Sequence, residues 1–147
     1  MKIEQIPVSQ IFAHKDFSKV VEAYCSESGN PDLGSAMPSL EWYERMENVG
    51  LFRICAAFDD DRLVGIVAVV ATLYPHFGKV VASCESVWLD KDYRKGATGL
   101  RLINKAKVMA KEMGAVGIYF GARDGSRLSQ MYERMFVPMN RLYWKKL

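Results

Sequence analysis

The run Glu85-Ser86-Val87-Trp88-Leu89-Asp90-Lys91-Asp92-Tyr93-Arg94-Lys95-Gly96-Ala97-Thr98-Gly99-Leu100-Arg101-Leu102 starts among strand-forming residues, crosses a charged turn and enters a segment of helical spacing. It reads as a strand, a glycine-bearing junction and the first turn of a helix. Such a junction leaves backbone N–H groups unpaired at the positive end of a helix dipole, and both features attract an anion such as a phosphate. Arg94 and Lys95 add cationic charge there, while Gly96 and Gly99 let the backbone approach a ligand without an intervening Cβ. Neither G-x-x-x-x-G-K-[ST] nor G-x-G-x-x-G occurs, so the lysine-bearing P-loop and the dinucleotide fingerprint are both excluded.

Working outward, Leu100, Ile103, Ala106 and Ala110 continue the apolar stripe of a helix over 99–113 that stops at Gly114. Upstream, the segments 51–58, 62–74 and 79–89 are rich in Val, Ile, Ala and aromatics and are separated by Asp59-Asp60-Asp61 and Pro75-His76-Phe77-Gly78. That pattern predicts three antiparallel strands joined by tight turns. Earlier still, Phe17, Val20, Val21 and Tyr24 predict a helix over 15–27, followed by a loop over 26–39. Ser39 is the expected N-cap of another helix that ends before Gly50, and Ile3, Ile6 and Val8 predict a short edge strand limited by Pro7. Downstream, 115–122 reads as a strand, 126–135 as a helix and 139–147 as a last strand. The order β, two helices, meander, helix, strand, helix, strand places the chain in the mixed α+β class.

With 147 residues, 50% apolar and 25% charged, the chain has the size and mix of one domain over 1–147. No apolar run approaches the roughly 20 residues of a membrane span, and polar residues interrupt 1–16, so neither a span nor a secretory signal is expected. Three dispersed cysteines and two histidines assemble neither a disulfide framework nor a metal site, and a reducing cytoplasm is the expected compartment. Residues 1–61 carry 5 Lys/Arg against 11 Asp/Glu, and residues 62–147 carry 15 against 6, so −6 and +9 give the net +3. The basic half suits an anionic ligand and the acidic half a cationic one. Arg101, Lys105, Lys107 and Lys111 lack interleaved aromatics, so that stripe is read as a solvated helix face and no nucleic-acid partner is expected.

The opening run resembles the acetyl-coenzyme A motif of the GNAT superfamily of N-acetyltransferases, in which Tyr-Arg precedes R/Q-x-x-G-x-G/A at the start of a helix. Here the motif reads Arg94-x-x-Ala97-x-Gly99, with Ala97 at the first glycine position and Gly96 one residue early. Leu128-Ser129-Gln130-Met131-Tyr132-Glu133-Arg134-Met135 resembles the family's A-x-x-L-Y-E-K-L helix, with Gly125 where an Asn is frequent and Phe136-Val137 where Gly-Phe is frequent.

The resemblance implies a mostly antiparallel central sheet of 6 to 7 strands flanked by about four helices, and acetyl-coenzyme A as cofactor. Val87, Trp88 and Leu89 would offer main-chain groups to the pantetheine arm, one N–H polarising the acetyl carbonyl. Arg94, Lys95, Gly96, Ala97, Thr98, Gly99 and Leu100 would hold the pyrophosphate. Glu85 would be the base that deprotonates a primary amine, and Tyr132 the acid that protonates the leaving thiolate.

The acceptor region implied by the resemblance brings Glu27, Asp32, Glu41 and Glu44 together with Trp42 and Tyr43, and Tyr74 and His76 are further candidates to line it. Acids with aromatics favour a cationic amine, borne by a small molecule or a protein. His14 reads as a capping or exposed group, Cys84 as a small strand hydrophobe without a neighbouring base, and Asp59-Asp60-Asp61 as a solvated turn. The terminal segment with Leu142, Tyr143 and Trp144 is where a homodimer would form. Ala97, Gly125 and Phe136 keep a second reading open, a weakly active or inactive module of the same fold acting through a macromolecular partner.

Overall fold

Arg62–Tyr74 forms the longest strand and the centre of a five-stranded sheet in the computed structural model, which describes all 147 residues. In chain order the elements are β1 (Lys2–Gln5), α1 (Val8–Ala13), α2 (Phe17–Ser28), α3 (Leu40–Asn48), β2 (Phe52–Asp59), β3 (Arg62–Tyr74), β4 (Lys79–Leu89), α4 (Thr98–Glu112), β5 (Ile118–Phe120) and α5 (Arg127–Met135). The sheet order is β1-β2-β3-β4-β5; the first three pairings are antiparallel and β4 meets β5 in parallel.

Leu63 to Val69 of β3 is buried without interruption because both faces of the sheet are covered. On one face Val64, Val67, Val69 and Ala71 pack with Leu102, Ala106, Met109 and Ala110 of α4. On the other, Leu63, Ile66 and Ala68 pack with Val8, Ile11, Val20 and Phe52. The α4 helix sits low on the sheet because Gly65 has no side chain. A Cβ there would lie 3.0 Å from Leu89 Cδ1, 3.1 Å from the Trp88 carbonyl oxygen and 3.2 Å from Leu102 Cδ1. Removal of that one carbon lets the end of β4 and the start of α4 close over the same spot, which is where the glycine junction lies.

β3 and β4 match their expected bounds, β2 lies one residue later than expected, and Ser39 caps α3 by accepting from the Trp42 N–H at 3.4 Å. Three expectations are corrected. Val8 opens α1 instead of extending the first strand, because Pro7 removes a ladder N–H yet suits the start of a helix. The fifth strand shrinks to Ile118–Phe120. The segment 139–147 forms no strand, so the sheet has five strands instead of 6 to 7, and the helices number five instead of about four. A three-residue β5 offers too short an edge to pair with a last strand. The tail is held instead by Trp144 Nε1, which donates to Asp32 Oδ2 at 3.0 Å. No helix is long and apolar enough to cross a membrane.

Leu102 is fully buried between α4 and β3, whereas Leu142 is 96% exposed. Leu102→Ala should therefore lower the unfolding free energy by about 2–5 kcal/mol, and Leu142→Ala should change it by less than about 0.5 kcal/mol. Urea denaturation followed by fluorescence measures both.

Candidate active site

β4 is longer than the neighbour on its outer side. It pairs with β5 only at Ala82, Ser83 and Cys84, while pairing with β3 continues to Leu89. Beyond Cys84 the outer edge is open, so Val87, Trp88 and Leu89 face no strand there. The register with β3 steps between Ala68, opposite Ser86, and Val69, opposite Cys84. Glu85 is thus the extra residue of a β-bulge, a device that re-aims a side chain and bends the strand away from its neighbour.

At the end of β4, Asp90 accepts from the Asp92 N–H at 3.0 Å and starts a single turn over Lys91–Tyr93. Gly96 then adopts φ +95°, a conformation that favours glycine, while Ala97 at φ −92° is an ordinary N-cap position without a side-chain cap. The glycine one place early therefore supplies the turn, and alanine is tolerated where the motif has glycine. The first bond of α4 is Arg101 N–H to the Ala97 carbonyl at 2.9 Å, so the N–H groups of Lys95 to Leu100 donate to no protein acceptor. A Cβ on Gly99 would meet only Leu89 Cδ2, at 3.9 Å, so the protein's own packing does not require glycine there.

Arg94 does not reach freely into solvent. Its Nε donates to the Leu89 carbonyl at 2.7 Å, and its guanidinium pairs with Glu27 Oε1 of α2 at 2.8 Å. The Arg94 hydrogen bond holds the Glu27 carboxyl below its ordinary value of 4.5, and the buried Trp88 ring N–H adds a smaller effect in the same direction. Lys95 is exposed and has no carboxylate partner.

The Tyr43 hydroxyl of α3 donates to Glu85 Oε1 at 3.1 Å, and the Tyr24 hydroxyl of α2 donates to the Glu85 main-chain carbonyl at 3.5 Å. Glu85 Oε2 has no hydrogen-bond partner. Burial, followed by the charge of Glu85, pushes the Tyr24 phenol up to about 12 and Tyr43 higher still, so both remain donors. Glu85, Ser86, Tyr24 and Tyr43 stand together in the wall of a cavity of about 310 Å³ between α1, α2, α3 and the sheet. Trp42 lies outside that wall, 63% exposed, with Arg45 over its ring at 5.4 Å. Tyr74 and His76 lie in the β3–β4 hairpin, at the opposite end of β4 from Val87 to Leu89. Tyr24 carries no local sign of its contact with Glu85. Its spacing marks it as one of an apolar helical stripe, and only the docking of α2 on the sheet reveals where its hydroxyl points.

Tyr132 lies on α5, whose start is fixed by the Ser126 hydroxyl accepting from the Ser129 N–H at 3.0 Å. Its ring packs 5.4 Å from Phe120 and 5.6 Å from Phe136, and the last two rings stack in parallel at 4.7 Å. The hydroxyl is buried and has no hydrogen-bond partner. A buried orphan hydroxyl is costly unless something else fills the vacancy in its bonding. Burial first, then Cys84 and Tyr24, raises its pKa and keeps it protonated. Burial and Glu85 push the Cys84 thiol up to about 12, which leaves it poorly suited to act as a nucleophile.

The GNAT acetyltransferase family model matches residues 17–136, so this chain belongs to the GNAT family of acetyltransferases and is by class an acyltransferase. No curated protein sequence matches it significantly. An aminoglycoside acetyltransferase from an uncultured soil metagenomic sample shares its fold with a TM-score of 0.77 at 15% identity, over 99% of this chain and 97% of that one. The ribosomal-protein-alanine N-acetyltransferase of Brucella melitensis biovar Abortus 2308 is similar with a TM-score of 0.71 at 15% identity, over 100% and 99%. The glucosamine-6-phosphate N-acetyltransferase of Arabidopsis thaliana gives a TM-score of 0.73 at 13% identity, over 99% and 97%. Family members generally use acetyl-coenzyme A. The donor set fits that group: an open strand edge for amides, uncapped helix N–H groups for phosphates, and an orphan phenol beside the edge.

Because the folded-state pKa of Glu27 is depressed, its pairing with Arg94 contributes fully above pH 4.5 and is lost as pH falls below that value. Glu27→Gln should lower the melting temperature at neutral pH, and the gap from wild type should close on acidification. Scanning calorimetry across the acid range checks the sign.

Proposed function

We propose that the 147-residue chain acts as one domain that transfers an acetyl group from acetyl-coenzyme A directly to a primary amine, with Glu85 as base and Tyr132 as acid. The observation that carries this reading is the placement of Glu85 where the outer edge of β4 opens and of Tyr132, on α5, against the end of β5 opposite Cys84. Glu85 Oε2 is unpaired at the cavity wall, and the Tyr132 hydroxyl is buried without a partner, on a ring packed 5.4 Å from Phe120, the β5 residue opposite Cys84.

Acetyl-coenzyme A, when bound, supplies the activated thioester. The main-chain groups of Val87, Trp88 and Leu89 would hold its amides along the free edge, and the N–H groups of Lys95 to Leu100, with Lys95, would hold its phosphates. Arg94 serves this by shaping the junction through Leu89 and Glu27. Glu85 takes the proton that the amine nitrogen gives up as it is acylated, and Tyr43 keeps the carboxylate aimed by its bond to Oε1. Tyr132 holds a proton at its hydroxyl oxygen for the departing sulfur, and its raised pKa keeps that proton in place beforehand. The positive φ at Gly96 supports a formed junction turn despite Ala97.

Acetyl-coenzyme A at a hundred times its Kd should stabilise the protein by about 2.7 kcal/mol, visible as a thermal shift. Gly99→Val should abolish the shift. Tyr132→Phe and Glu85→Gln should keep the shift and lower kcat by about 10²-fold or more. Wild-type turnover by Tyr132→Phe would remove the acid role, and a thermal shift without product from any amine would favour the binding module.

A further inference from the structure

The cavity beneath Glu85 carries a specificity that the junction and β4 edge do not. Of the 17 residues in its wall 14 are hydrophobic, and Phe12, Phe17, Val21 and Ile66 make up much of its body. Glu85 is the only charged side chain among them; no Lys, Arg, His or second acid is present. Polar groups cluster at the Glu85 end, where Tyr24, Tyr43 and Ser86 sit. Met37, 90% exposed, contributes from the α2–α3 loop and marks the mouth.

Three of the four acids expected to collect cations around this region are occupied elsewhere, and the fourth, Glu44, does not line the cavity. Asp32 binds Trp144 and Lys146, Glu41 pairs with Arg45 at 2.6 Å, and Glu27 pairs with Arg94. A polyamine or aminoglycoside would therefore find a single counter-charge, and its other ammonium groups would lie against apolar walls. A sugar amine would strand hydroxyls against the same walls, and a phosphate ester would meet no cation; each carries a desolvation cost that the cavity does not offset. The volume of about 310 Å³ lies at the lower end of the roughly 300–1,000 Å³ of small-molecule pockets, which suits a small acceptor.

We propose that the acceptor is a small primary amine with one ammonium group on an apolar body, of the arylalkylamine or alkylamine class, its nitrogen at Glu85 and its body in the cavity between α1, α2, α3 and the sheet. This deepens the acetyltransferase reading and rests on it. Glu85 first takes one proton from the bound ammonium group and passes it to solvent, and the neutral amine nitrogen then bonds to the acetyl carbon as the carbon–sulfur bond breaks. The amine proton goes to Glu85, and the sulfur leaves as a thiol with the proton from Tyr132, which solvent replaces. The apolar walls stabilise the body by burial, while Glu85 sets the one charge the ligand must present.

The test measures coenzyme A thiol release by the full chain with acetyl-coenzyme A and, in turn, 2-phenylethylamine, spermidine, kanamycin, glucosamine 6-phosphate and a peptide with an N-terminal alanine. The expected result is a kcat/KM for 2-phenylethylamine at least about tenfold above every other acceptor. Val21→Phe, which fills the cavity, should raise KM for that amine at least about tenfold while keeping the thermal shift with acetyl-coenzyme A. Met37→Glu, at an exposed position, is the second variant and should lower use of 2-phenylethylamine relative to spermidine. A preference for any of the other four acceptors, a retained cofactor shift with no acceptor used, or an unchanged KM in a folded Val21→Phe protein overturns the substrate class and leaves cofactor binding standing. Absence of any shift with acetyl-coenzyme A overturns the underlying reading as well.

Discussion

The site depends on the unequal lengths of two neighbouring strands. β4 runs to Leu89, whereas β5 ends at Phe120, opposite Cys84. A strand edge left without a partner is ordinarily a liability, because its amide groups invite association. In this molecule the unpaired stretch begins next to Cys84, at the bulge that carries Glu85. The aromatic stack of Phe120 on Phe136 anchors the chain where β5 stops and holds α5, and with it Tyr132, beside the gap.

A second dependence joins the two halves of the site. Arg94 binds the carbonyl that ends β4 and the carboxylate that ends α2, so the junction and the wall of the cavity share one side chain. The acidic first half and basic second half of the chain meet at this pair. Charge polarity along the sequence is therefore spent partly on internal contacts, with Asp32–Lys146 as a further case. Lys95 and the basic face of α4 remain in solvent, available to an anion.

Local chemistry made much of this readable. The turns at Asp59–Asp61 and Pro75–Gly78 punctuate the meander so strongly that β3 and β4 take their expected bounds, and Ser39 and Ser126 are caps whose hydroxyls satisfy N–H groups three residues on. The short helix at Val8 escaped because Pro7 is compatible with both a strand end and a helix start. The alternating aromatics of Leu142 to Trp144 imitate a strand, but a strand needs a partner, and β5 is too short to provide one. Glu27 and Asp32 resembled part of a cation-binding set by composition alone, and their pairing with Arg94 and Lys146 depends on distances that no local pattern encodes.

The sequence by itself determined the meander, the central helix and the glycine junction, because periodicity, caps and turns act over a few neighbouring residues, while Glu85 and Tyr132 are singled out by the resemblance to the GNAT motifs. Only the tertiary structure decided that Tyr24 and Tyr43, from separate helices, meet at Glu85, that Arg94 is tied to Glu27, and that the cavity carries one charge. Those are long-range relations fixed by how α2 and α3 pack on the sheet. The physical reason is that a cavity's shape and charge come from side chains distant in the chain, whose proximity is settled by the packing of the core as a whole.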